Sequence, residues 1–181
     1  VNIRKNNPFE TSKEAVRLLR QNNIISLTNI IYGLEEESWK TIREKFAGLL
    51  ELDSDILNAM YLTPHFWTSQ GKMVKPSDII QSDLNKWSYR NQVIATPKLK
   101  PFELFLAVKL TEALFHLRPK ALKRFFLGTD KRYLKIMRSS MWVGIQVILA
   151  EIFEFIFQTK FMPQGSLEKL PGLETHLPLL K

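Results

Sequence analysis

Two short stretches of this chain hold residues whose types and spacing could meet a ligand or move a proton. The first runs Thr28-Asn29-Ile30-Ile31-Tyr32-Gly33-Leu34-Glu35-Glu36-Glu37-Ser38, and the second Tyr61-Leu62-Thr63-Pro64-His65-Phe66-Trp67. Glycine at a strand end lets backbone approach a ligand closely. A histidine at such an end is a candidate for proton transfer or ligand contact. Each stretch has a plainer reading beside it. The first is also an ordinary strand-to-helix turn with acids at a helix N-terminus, which local chemistry alone favours. His65 is equally well a loop histidine with no chemical role.

Other chemistries are excluded by residue type. With no cysteine among 181 residues, this chain can form no disulfide, thiolate metal site or cysteine nucleophile, and it can ligate no iron–sulfur cluster. The histidines at 65, 116 and 176 lack metal-ligand spacing. No serine sits in a nucleophile elbow, and there is no glycine-rich phosphate loop. No nucleic-acid-binding motif is present, so nucleic acid is not an expected partner.

The elements that must position the two stretches follow from apolar pattern and punctuation. A helix is predicted over residues 8–22, a strand over 24–32, a helix over 35–52 opening on three acids, and a strand over 56–63 ending at Pro64. Alternation of this kind implies parallel strands joined by crossovers, which places both stretches on the ligand-binding rim of one sheet. Two parallel strands need neighbours. Only residues 1–3 offer another strand end, so the remaining strands are expected in polypeptide preceding Val1.

After a loop containing Gly71 and Pro76, the chain reads as helical. Pro101 and Pro119 sit at first helical positions, Gly128 stops the second of these helices, and Asp130 can cap a third. Residues 141–157 form an apolar run holding Gln146, Glu151 and Glu154. The carboxylates make membrane spanning costly, so a buried or membrane-apposed helix is expected. The last residues hold several prolines and read as an extended tail.

The net charge of +8 is regional. Residues 86–138 hold 13 Lys/Arg against 3 Asp/Glu, whereas residues 1–85 hold 10 against 11. Arg118, Lys120, Lys123, Arg124, Lys131, Arg132, Lys135 and Arg138 could face an anionic membrane, with Phe125, Phe126 and Leu127 at its interface. They could equally be a solvated helix face.

Several stretches together are similar to the C-terminal part of the anaerobic magnesium-protoporphyrin IX monomethyl ester cyclases, cobalamin-binding radical S-adenosylmethionine enzymes of bacteriochlorophyll synthesis. They include Ala15-Val16-Arg17-Leu18-Leu19-Arg20, Gly33-Leu34-Glu35-Glu36-Glu37, Tyr61-Leu62-Thr63-Pro64-His65, Lys86-Trp87, Val108-Lys109, Arg118-Pro119, Ala121-Leu122 and Met137-Arg138. The stretch over 86–126 is the specific part.

The resemblance implies an α/β then all-α chain: the end of a partial (β/α) barrel over 1–66, a connecting loop over 67–100, a basic helical domain over 101–158 and a tail over 159–181. It implies that Ile31, Gly33 and Glu36 match the superfamily pattern G-x-I-x-G-x-x-E, with Asn29 in place of its first glycine. Ile31 and Leu62 would then pack near the adenine of S-adenosylmethionine. Cofactors of the whole enzyme would be S-adenosylmethionine, a 4Fe–4S cluster and cobalamin. Its partners would be a porphyrin substrate and the missing N-terminal part. The expected location is cytoplasmic, with a peripheral membrane surface as an option. The chain alone would be inactive. The alternatives are part of another cobalamin-dependent radical S-adenosylmethionine enzyme, or a non-catalytic membrane-surface helical module.

Overall fold

The computed structural model describes residues 8–157. Helix α1 (Phe9–Gln21) leads to strand β1 (Leu27–Tyr32), helix α2 (Trp39–Leu52) and strand β2 (Ile56–Tyr61). The strands pair in parallel, Leu27 opposite Ile56 and Tyr32 opposite Tyr61. Short 3-10 turns break up the loop that follows. Helices α3 (Pro101–His116), α4 (Pro119–Leu127) and α5 (Lys131–Phe157) complete the described chain. The expected order of elements is therefore present. The possible strand at residues 1–3 and the extended tail lie outside the described residues.

Boundaries follow local chemistry. Pro101 and Pro119 each open a helix, and their missing N–H groups would have had no intrahelical partner there. The Asp130 carboxylate accepts from the amides of Arg132 and Tyr133 and caps α5. One boundary differs from expectation. Helix α2 begins at Trp39, not at the acids, because Ser38 and Thr41 form a reciprocal capping box. The acids precede the helix in a turn, and Glu37 is buried there.

Helices α2 and α3 pack on one face of the sheet. Tyr32, Ala59 and Tyr61 meet Ile42 of α2 and Leu104, Ala107 and Val108 of α3. Strand alternation places Leu27, Asn29, Ile31, Asn58 and Met60 on the other face. That face is polar in its middle, where the Asn58 amide donates to Asn29 Oδ1 at 3.1 Å.

The two edges of the sheet differ. The outward amides of β2 are all occupied. Leu57 N–H donates to His116 Nε2 and Ala59 N–H to Glu112 Oε1, each at 3.4 Å, and Tyr61 N–H donates to the Tyr89 carbonyl at 2.7 Å. On β1 the Ile31 carbonyl accepts from Lys45 Nζ at 3.2 Å. The outward amides of Leu27, Asn29 and Ile31 have no partner among the described residues.

Of the two expectations for helix α5, buried or membrane-apposed, the structure does not bear out the buried one. Met137 is its one buried residue among those described, while Trp142, Leu149 and Ile156 are each more than 60% exposed. It is tied down by charge. Lys109 on α3 donates to Glu112 at 2.7 Å and to Glu151 of α5 at 2.5 Å, and Arg90 donates to the other oxygen of Glu151 at 3.0 Å. The carboxylates expected to disfavour spanning are thus the anchors of the helix. Phe155 stacks on Phe105 beside them, centroids 4.0 Å apart.

Candidate functional site at the carboxyl rim of the strands

Both stretches singled out by residue type reach the carboxyl ends of the strands. Beyond Tyr32 the chain turns through Gly33, whose φ of +90° is one that side chains rarely adopt. The turn is held by the buried Glu37, which accepts from the Gly33 amide at 3.2 Å and from Thr41 Oγ1 at 3.0 Å. Lys45 Nζ, 2.6 Å from the same carboxylate, neutralises it. Leu62 N–H donates to the Tyr32 carbonyl at 2.8 Å, so Gly33 and Leu62 lie side by side. Ile31 pairs with Met60 immediately before them.

The rim therefore brings Ile31, Gly33 and Leu62 together. It does not bring Glu36 to them in the same way. Glu36 is exposed, and its neighbour Glu37 does the structural work in the turn. His65 lies four residues beyond the end of β2, half-buried, with its ring stacked on Trp67 at 4.5 Å. Burial holds its pKa below the ordinary value, so at neutral pH the ring is uncharged. Its carbonyl accepts from Thr68 N–H and Oγ1–H.

Sequence reading missed a second feature of this rim. Tyr61, the last residue of β2, is 5% exposed, and its hydroxyl has no hydrogen-bond partner among the described residues. It borders a cavity of about 60 Å³ lined also by Arg90, Gln92, Phe105, Glu151 and Phe155. Gln92 Oε1 is likewise buried without a partner among the described residues, although its amide nitrogen donates to the Ile94 carbonyl at 2.9 Å. Burial, then the charges of Glu151 and Glu112, push the Tyr61 phenol well above its usual pKa. It stays protonated and can donate. A buried donor left unmatched costs about 1–3 kcal/mol, so the pair suits a small polar group that accepts from Tyr61 and donates to Gln92. A tyrosine ending a strand gave the only clue in sequence. The partners come from a loop 30 residues on and from α5.

The opposite pole is closed. Asp53, the left-handed cap of α2, accepts from Arg118 Nε at 3.0 Å and from both terminal nitrogens of Arg124 at 2.8 and 2.9 Å. Burial alone would raise its pKa, but hydrogen bonds from Arg124 and Arg118 hold it at about 2. Asp55 accepts from Ser26 N–H at 3.0 Å and Ser26 Oγ–H at 2.8 Å, and from the Tyr133 hydroxyl at 3.1 Å. Two of the eight cations expected on one basic surface, Arg118 and Arg124, are thus turned inward by Asp53. Among the described residues no cluster of histidine and carboxylate could hold a metal ion.

No protein-family model matches the chain. It is 36% identical over 163 residues to the anaerobic magnesium-protoporphyrin IX monomethyl ester cyclase of Synechocystis sp., a match covering 90% of this chain. The chain resembles the C-terminal third of that cyclase. Proteins of the same name from Rubrivivax gelatinosus and Cereibacter sphaeroides are 27% identical over 100 residues and 26% identical over 134. The chain spans 33% of the Synechocystis cyclase, and 17% and 22% of the other two.

Proposed function

We propose that this chain is the C-terminal part of an oxygen-independent magnesium-protoporphyrin IX monomethyl ester cyclase and closes its (β/α) barrel. The observation that carries the reading, beside the similarity to three cyclases of that name, is the asymmetry of the sheet. The β2 edge is sealed by His116, Glu112 and Tyr89, as the last strand of an open barrel would be. Among the described residues the outward amides of β1 have no partner, and bare sheet edges are rarely left so. Among the described residues, α2 and α3 cover one face of the sheet, which leaves Ile31, Asn29, Asn58 and Met60 for a barrel interior.

In this reading S-adenosylmethionine lies against the rim, with Ile31 and Leu62 giving apolar contact and Gly33 allowing close approach. The three side by side fit such a ligand. The 4Fe–4S cluster and cobalamin would supply radical chemistry for ring closure on the porphyrin. With no cysteine, this chain holds none of the cluster's ligands. Its own contribution is to shape the rim, which α2 and α3 back from the outer face of the sheet.

A chimera tests this: the chain replaces the matching C-terminal third of the Synechocystis cyclase. Ring closure by the chimera supports the reading. A chimera that folds, cleaves S-adenosylmethionine and leaves the porphyrin ester unchanged overturns the substrate. The 181-residue chain reconstituted alone should give no iron–sulfur absorption and no deoxyadenosine.

A further inference from the structure

The cations of the basic region fall into two sets. Arg118 and Arg124 are spent on Asp53. Lys120, Lys123, Lys131, Arg132 and Lys135 form no side-chain ion pair or hydrogen bond among the described residues, and all five are exposed. Two of these, Lys131 and Lys135, continue with Arg138 into an apolar row. Lys131, Lys135, Arg138, Trp142, Ile145, Leu149, Phe153 and Ile156 recur at three- and four-residue spacing along α5, so they share one face. Every one is exposed, Trp142 at 63% and Ile156 at 63%. The end of α4 adds to this surface. Arg138 lies 5.9 Å from the Phe125 ring, which meets Phe126 edge to face, and Phe126 and Leu127 are the most exposed large apolar residues described, at 73% and 71%.

We infer that this chain docks on an anionic lipid bilayer through the outer face of α5 and the end of α4. The occupant is chosen by charge. An apolar row alone would suit a helix of another protein equally well, but cations without carboxylate partners beside it match phosphate headgroups. The helix lies on the surface and does not cross it, although it is long and apolar enough to do so. Its opposite face is held by Glu151 to Arg90 and Lys109, and by Glu154 to Lys86 at 3.5 Å. Crossing would carry those carboxylates into hydrocarbon. The inference is independent of the cyclase reading.

The test is sedimentation of the 181-residue chain with vesicles of phosphatidylglycerol and phosphatidylcholine, at low and high salt. Binding at low salt that weakens with added salt is expected. The combined variant Lys131→Glu, Lys135→Glu, Arg138→Glu should bind about a hundredfold more weakly, from the usual contribution of a cation near an anionic surface. Lys72→Glu with Lys75→Glu, in the loop after β2, should bind like the original. Fluorescence quenching by brominated lipid should fall in Trp142→Phe while that variant still sediments. Four outcomes would each overturn the inference. They are no sedimentation at low salt, equal binding by the triple variant, unchanged quenching in Trp142→Phe, or a dimer with the α5 row buried and no lipid binding.

Discussion

At the amino ends of β1 and β2, Asp53 and Asp55 each collect several hydrogen bonds, and the charged groups around them neutralise one another. At the carboxyl ends, the Tyr61 hydroxyl is buried and has no partner among the described residues. Spare nitrogens exist at the first pole too, the Nε atoms of Arg20 and Arg124, but both guanidinium groups are already anchored through their terminal nitrogens. A saturated network and an orphaned donor are different uses of buried polarity. The first fixes how α4 and α5 join the sheet. The second leaves an unfilled demand where a parallel sheet ordinarily meets its ligand.

The contrast is broken most severely at the saturated pole. Arg118→Ala removes a guanidinium that reaches Asp53 and the carbonyls of Phe115 and Ser54. Taking away one partner of a buried pair costs about 3–5 kcal/mol. Urea unfolding should show a loss of that size. A change under about 1 kcal/mol would mean that Arg124 alone satisfies Asp53.

Acid attacks the same pole. The Asp53 carboxyl is held at about 2 in the fold, against 3.8 for the free group. Its stabilisation is complete above 3.8 and is lost as pH falls from there towards 2, amounting to roughly 2 kcal/mol. His116 adds an earlier loss. Burial lowers its pKa below 6.5, and its neutral Nε2 accepts from Leu57. Stability should therefore begin to decline as pH drops through 6.5. Unfolding free energies followed from pH 7 downward check both signs, and Asp53→Asn should flatten the lower part of the curve.

At the rim the backbone, rather than charge, is the sensitive part. Gly33→Ala puts a side chain at φ +90°, where strain of about 1–2 kcal/mol is expected. The added Cβ itself would find room, 3.5 Å from Leu104 Cδ2. Thermal unfolding should register the strain, and a crystal structure should show the turn shifted with its Glu37 bond weakened.

Sequence pattern revealed the elements far better than the connections between them. Pro101, Pro119, Gly128 and Asp130 mark helix ends because backbone geometry acts within a few residues. The turn at Gly33 was legible for the same reason, standing at the end of a strand of clear apolar pattern, whereas Ile31 and Leu62 were named only through the resemblance to the cyclases. What was not legible acts through space. Nothing local says that Glu37 will pair with Lys45, that Arg118 and Arg124 will converge on Asp53, or that Glu112 and His116 will cover a strand edge. Composition alone left α5 open between a buried and a membrane-apposed helix, and the structure, which anchors it by Glu151 and Glu154 and turns most of its large side chains outward, argues against burial.

The smallest effect on stability is the most informative about the rim. Tyr61→Phe deletes a hydroxyl that bonds to nothing among the described residues, and keeps the ring in the cluster with Leu104. Removing an unmatched buried donor should leave stability within about 1 kcal/mol of the original or raise it, opposite in sign to every change at the Asp53 pole. If a ligand group accepts from this hydroxyl, the same substitution in the chimeric cyclase should lower turnover while the fold is unharmed. If Tyr61→Phe instead destabilises by 2 kcal/mol or more, on the order of a lost buried hydrogen bond, the hydroxyl is bonded in solution, and the rim is as saturated as the opposite pole.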